Sequence, residues 1–269
     1  MPRFLLNAST IPKDTGRELA MLKWLFSKKQ SVSDKQPQHE KSAPDNSSAF
    51  FQAINEKRRE DPLIGAKIGG KEIFQRIAQG MKDERGVHAE SLLCALGALA
   101  GYSCQAGIRG EFVQEKGLSE KQVFVIIDCA DGRQYFFGDM INKPLAENRY
   151  SVWSLAAGAA QHMGLNDLID IEDIFKHVSQ TVGSNSFGVP RIPDDHKPGD
   201  LPQNYLKHLW PVLFPVAKSS CPPAEWPLLF GLAVQEGMHW SKDVMDPALA
   251  LSIVMESAVP MAKVDFNSL

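Results

Sequence analysis

A thiol becomes a nucleophile when a base takes its proton, so Cys94, Cys104, Cys129 and Cys221 are the first candidates for chemistry in this chain. Cys94 follows His88 by six residues and Glu90 by four. On a helix, six residues leave His88 and Cys94 about 120° apart, so the histidine is badly placed to activate the thiol. Glu90 shares the face of Cys94, but a carboxylate beside a thiol raises its pKa.

Cys104 follows Tyr102 and Ser103 without the flanking glycine and tryptophan pattern of a protease thiol. Cys129 follows Asp128 at the end of an apolar stretch, and strand ends do carry catalytic groups. Against these readings, free cysteine is among the most buried residue types, and each of these sits among apolar neighbours. No CxxC pair occurs. If Cys94 and Cys104 share a helix they lie about 15 Å apart along its axis, beyond the reach of a disulfide. Scattered reduced thiols point to the cytosol.

Metal chemistry has weaker support. His162, Asp167, Asp170, Glu172, Asp173 and His177 are the densest group of ligand-type residues, without an HxxxH or HExxH spacing. They read as the solvated acidic start of a helix. Asp194, Asp195 and His196 read as turn formers. No metal and no cofactor is expected. Gly65 to Glu72, GAKIGGKE, matches the phosphate-loop pattern up to its last position, where Glu72 replaces the magnesium-binding hydroxyl. No hydrophobic strand leads into it. The expectation is a glycine-rich turn whose Gly70 opens a helix from Lys71 to Lys82.

The elements that would position these residues centre on Gly86 to Arg109, which reads as a helix buried on most sides. Gly97 and Gly101, with Ala100, make a smooth strip that lets another helix approach closely. A matching strip occurs at Ser154 to Ala160, and the two are expected to pack together. Residues 102–112 could run on as helix or turn into a strand. Cys104, Ile108 and Phe112 continue a helical stripe and favour helix. Gln122 to Cys129 and Arg133 to Gly138 read as a hairpin around Ala130-Asp131-Gly132, apolar on both faces and so covered on both. Further helices are read at 49–60, 151–163, 171–182, 203–217, 226–239 and 247–261. Residues 183–203 form a long irregular stretch in which Phe187, Val189 and Ile192 suggest packing. Trp210, Phe214, Trp226, Phe230 and Trp240 would form an aromatic cluster. The fold class is mainly α (α+β), a multi-helix domain with one small antiparallel β-hairpin or meander.

Residues 1–48 read as a disordered segment ahead of a single folded domain at 49–269, with a possible subdivision near 183–203. Met21 is the suspected biological start. Residues 21–29 form a short amphipathic patch, with Trp24, Leu25 and Phe26 beside lysines. It reads as a frayed terminus that folds back, with contact to an anionic membrane the sharper alternative. No apolar run approaches the roughly 18 residues of a membrane span. Net charge is −3 and the pI about 6.2, so the chain carries no basic footprint for nucleic acid. With no complete catalytic set, the sequence reads as a cytosolic protein-interaction or regulatory scaffold module whose partner is another protein. Its interaction patch would draw on Trp24, Leu25, Phe26, Phe187, Trp210 and Trp240. The alternative is a hydrolase, cysteine-dependent or metal-assisted, acting on a small molecule or peptide, with Cys104, Cys94, His88 and Cys129 as its candidates.

Overall fold

The computed structural model describes residues 56–269. The patch at 21–29, with Trp24, Leu25 and Phe26, and the first part of the helix expected at 49–60 lie outside the described residues. The described elements are mainly helical. In chain order they are α1 (Ile64–Gly80), α2 (Ala89–Ile108), α3 (Glu120–Val123), β1 (Val125–Asp128), β2 (Gln134–Phe137), α4 (Asp139–Asn142), α5 (Val152–His162), α6 (Ile171–Thr181), α7 (Pro202–Ser220), α8 (Trp226–Ser241) and α9 (Pro247–Met261).

The core forms around α2. All but one of its twenty residues are buried, and wider π-helical turns extend it through Arg109–Glu115. Residues 102–112 are therefore helix, as the stripe of Cys104, Ile108 and Phe112 favours. The continuous helix Ala89–Glu115 is the one helix among the described residues long and apolar enough to cross a membrane. This corrects the expectation that nothing approaches that length. Its apolar stretch is entirely covered by the other helices, chiefly α9, α8 and α7.

The smooth strip on α2 does admit a second backbone, but not the expected one. A Cβ on Gly101 would stand 1.9 Å from the Ala258 carbonyl oxygen, and one on Gly97 would stand 2.5 Å from that of Val254. Both contacts belong to α9. The strip at Ser154 to Ala160 lies in α5, which packs on α8 and α9, and Gly158 has nothing within 4 Å of a Cβ position. The sequence identifies a helix that can be approached closely. It does not identify the helix that does so, because α9 needs no glycine for its carbonyls to reach the bare glycine positions of α2.

The glycines of the GAKIGGKE stretch work the same way. They do not form a turn: α1 already begins at Ile64 and carries all three of them. A Cβ on Gly65 would lie 2.1 Å from the Ser220 carbonyl oxygen, and one on Gly70 would lie 2.7 Å from that of Leu229. Lys71 points to solvent, and Glu72 pairs with Arg76 at 2.7 Å. No phosphate loop exists here.

Side chains at their first turns start the later helices. Ser151 accepts from Ser154 N–H, Asp170 from Asp173 N–H, and Asp246 from the N–H groups of Ala248 and Leu249 ahead of Pro247. Helices on both sides of residues 183–203 pack together, since α2 lies against α7, α8 and α9.

The hairpin is antiparallel, with Val125 opposite Phe137 and Asp128 opposite Gln134. It is shorter than expected, because residues 120–123 form α3. Gln122 accepts from Ser119 N–H there, as the third residue of a capped helix does. Nor are both faces of β1 covered: Val125 is 61% exposed and Ile127 38%. Cover goes to β2, where Tyr135 and Phe136 are buried and Phe136 N–H donates to the Lys263 carbonyl at 2.8 Å.

Substituting Gly101 with valine is expected to cost about 3 kcal/mol or more, the upper end for overpacking, because the atoms it would meet are all backbone of Ala258. Gly158→Ala is expected to stabilise by up to about 1 kcal/mol through helix propensity. Urea unfolding of both variants checks this, and equal effects would refute the α2–α9 contact.

Candidate functional site

The thiols do not assemble a nucleophile. Cys94 and Cys104 are fully buried, and burial pushes each thiol up to about 12. Cys221 is likewise held at about 12. A thiol in that range holds its proton at neutral pH and is inert. All four cysteines are free. Cys94 faces the Asp200 carbonyl at 4.0 Å, and Cys129 lies near Gly183. His88, the proposed base, is turned to Ser91 and Glu90. The structure therefore does not bring His88 together with Cys94, Cys104 or Cys129.

What converges is a cluster at the start of α2. His88 Nε2 lies 3.2 Å from Glu90 Oε2, and His196 Nδ1 lies 3.1 Å from Glu90 Oε1. His88 Nδ1 is 2.8 Å from Ser91 Oγ, which also accepts from Gly199 N–H at 2.8 Å. An ionised carboxylate only accepts, so opposite an ionised Glu90 a neutral His88 would donate from Nε2 and accept at Nδ1 from the Ser91 hydroxyl. Serine, imidazole and carboxylate then follow in the order of a hydrolytic relay. The serine, however, is 5% exposed and its oxygen is capped by Gly199. No reacting carbon can reach it while that loop is closed. The cluster works as a tie between the 194–200 segment and α2. Composition hides it, because Glu90 and His196 stand 106 residues apart. Asp194, Asp195 and His196 are a short 3-10 turn, as expected of turn formers.

No group of three ligand-type side chains among the described residues is placed to hold a metal ion. Among the described residues two cavities stand out. One, of about 300 Å³, is lined by Arg133, Tyr135, Phe187, Asn204, Lys207 and Asp265 among others. The other, of about 560 Å³, is lined by residues including Arg58, Phe214, Lys218, Cys221, Pro223 and Trp226. Neither is lined by a histidine.

The expected interaction patch divides. Phe187 and Trp210 are core: Phe187 meets Tyr135 edge-on at 4.6 Å, and Trp210 stacks on Phe214 and Phe230. Trp240 stands outside that aromatic cluster and is 46% exposed. The apolar surface that sequence reasoning missed is β1. The strand was expected under cover because its residues are apolar on both faces, and apolar residues are normally read as buried.

One buried charge was also missed. Lys263 is 1% exposed, and its ammonium donates to Asn142 Oδ1 at 2.7 Å between the rings of Phe137 and Phe175. Burial lowers its pKa to about 8. Its apolar neighbours in Met261-Ala262-Lys263-Val264 were the available signal. Lys263 lines neither of these two cavities.

No family model, no curated protein and no solved structure matches the chain.

The lysine generates a test with a definite sign. Its folded pKa is depressed from 10.5, so between about pH 8 and 10.5 the unfolded chain binds more protons, and raising pH favours folding. The stability of the natural chain minus that of Lys263→Met is expected to rise by roughly 2–3 kcal/mol from about pH 7 to pH 10. Denaturant titrations at several pH values measure it. A flat difference would show that the folded lysine titrates normally.

Proposed function

We propose that this chain is a protein-interaction module that takes up an extended segment of another protein as a third strand beside β1. The observation that carries the reading is the free edge of β1. Cys129 N–H donates to the Arg133 carbonyl, so by alternation residues 125, 127 and 129 turn their backbone groups toward β2. Ile126 and Asp128 turn theirs outward. On β2 it is Gln134 and Phe136 that turn outward, and Phe136 donates to Lys263 of the C-terminal segment. That segment occupies the far edge of β2, and Tyr135 bridges Val264. Among the described residues no strand pairs with the outer edge of β1.

An open edge flanked by exposed β-branched residues is what strand addition uses: main-chain bonds give affinity and alternate side chains give specificity. Proteins normally blunt such an edge with lysine, proline or a bulge. None of these interrupts Val125-Ile126-Ile127-Asp128. The fitting partner carries apolar residues opposite Val125 and Ile127 and a lysine or arginine near Asp128. The hydrolase reading is disfavoured, since the thiols of Cys94 and Cys104 are buried and protonated and the candidate histidine is turned to Ser91 and Glu90.

A photo-crosslinking side chain placed at Val125 is expected to trap a partner in source cells through a segment of alternating apolar pattern. Ile126→Pro, which removes one outward N–H, should abolish the adduct. The same crosslinker at Trp240 serves as control. Adducts that persist with Ile126→Pro, or that form equally at Trp240, would reject strand addition at this edge.

A further inference from the structure

We propose that residues 194–200 form a strap over the start of α2, closed by the His196–Glu90 pair and loosened as His196 loses its proton. This is independent of the β1 edge. The strap runs between two fixed points. Upstream, the Arg191 guanidinium is held by Glu256 at 2.6 Å and by Asp173 at 2.7 Å. Downstream, the Asp200 carboxylate accepts from Leu201 N–H and Asn204 at the start of α7. Between them, side-chain bonds tie the strap to α2: His196 to Glu90, Gly199 N–H to Ser91, and the Cys94 thiol, at 4.0 Å, to the Asp200 carbonyl. Glu90 is positioned for this, because His88 binds its other oxygen and its side chain is only 15% exposed.

The charged and titratable groups around His196 come from α2, the strap itself and α7. Glu90 and His88 come from α2, and Cys94 lies further along the same helix under Asp200. Within the strap, Asp195 lies 3.8 Å from His196 Nε2, and Asp194 is paired with Lys197 at 2.5 Å. Tyr205 of α7 lies beside Gly199. The hydrogen bond to Glu90, opposed by slight desolvation and aided by Asp195, raises the His196 pKa above 6.5. A raised histidine pKa stabilises the closed strap below the ordinary value, and that contribution is lost as pH rises through the raised one. The pair is partly exposed, so salt weakens it as well.

Amide hydrogen exchange of the full chain tests this. Protection at Gly199, whose N–H is bonded to Ser91, is corrected for the intrinsic rate at each pH and followed from about pH 5.5 to pH 8.5. The natural chain is expected to lose protection several-fold. His196→Gln keeps a donor that does not titrate and should give a flat profile. Glu90→Gln should leave the strap open throughout. A flat profile in the natural chain, or an unchanged slope in His196→Gln, would overturn the proposal. So would closure at high pH on adding zinc ion, which would make the clamp a metal site.

Discussion

Everything else in the structure depends on two helix backbones that touch. With hydrogens in place of side chains at Gly97 and Gly101, α2 and α9 come together until carbonyl groups of α9 occupy the space of a Cβ. That approach sets the depth at which α9 lies and so places the residues that follow it. Ala262 and Val264 arrive where Gln105 of α2 can donate to both carbonyls, at 3.1 and 3.2 Å. Gln105 is itself bound by Arg109, which pairs with Glu120 and lies over the Phe136 ring at 4.2 Å. The chain of contact runs from a glycine strip, through one buried amide, to the hairpin.

This arrangement explains why the two edges of a small sheet differ. A two-stranded hairpin is marginal alone, and β2 gains its support from the C-terminal segment and from Arg109. Once that segment is seated, the remaining edge belongs to β1, whose side chains Val125 and Ile127 meet no helix that covers them. The helical core spends no cover on that strand. The buried Lys263 fits the same picture: its backbone must stand beside Phe136, and its side chain can then only run inward to Asn142.

Much of the architecture was legible. Periodicity marks the helices after residue 150 within a few residues, and Gln122 to Gly138 reads as a hairpin. What escaped was relational. Small residues announce a close approach without naming a partner, so Gly97 and Gly101 pointed to α5 when they meet α9. The GAKIGGKE glycines read as a turn because loops also use glycine, yet against Ser220 and Leu229 they permit packing inside a helix. Phe187 and Trp210 read both as packing residues and as part of an interaction patch, and aromatic contacts bury them. The Glu90 cluster joins residues too distant in sequence for any local pattern to connect, and only the path of the 183–203 segment brings His196 to α2.

The account turns on the outer edge of β1 being unpaired in the free protein. Amide exchange resolved at Ile126, Ile127, Asp128 and Phe136 reads this directly. Fast exchange at Ile126 and Asp128, beside slow exchange at Ile127 and Phe136, is the alternation predicted for a hairpin with one open edge. Protection at Ile126 and Asp128 in the isolated chain would mean that the edge is already covered and would contradict its role as a docking strand.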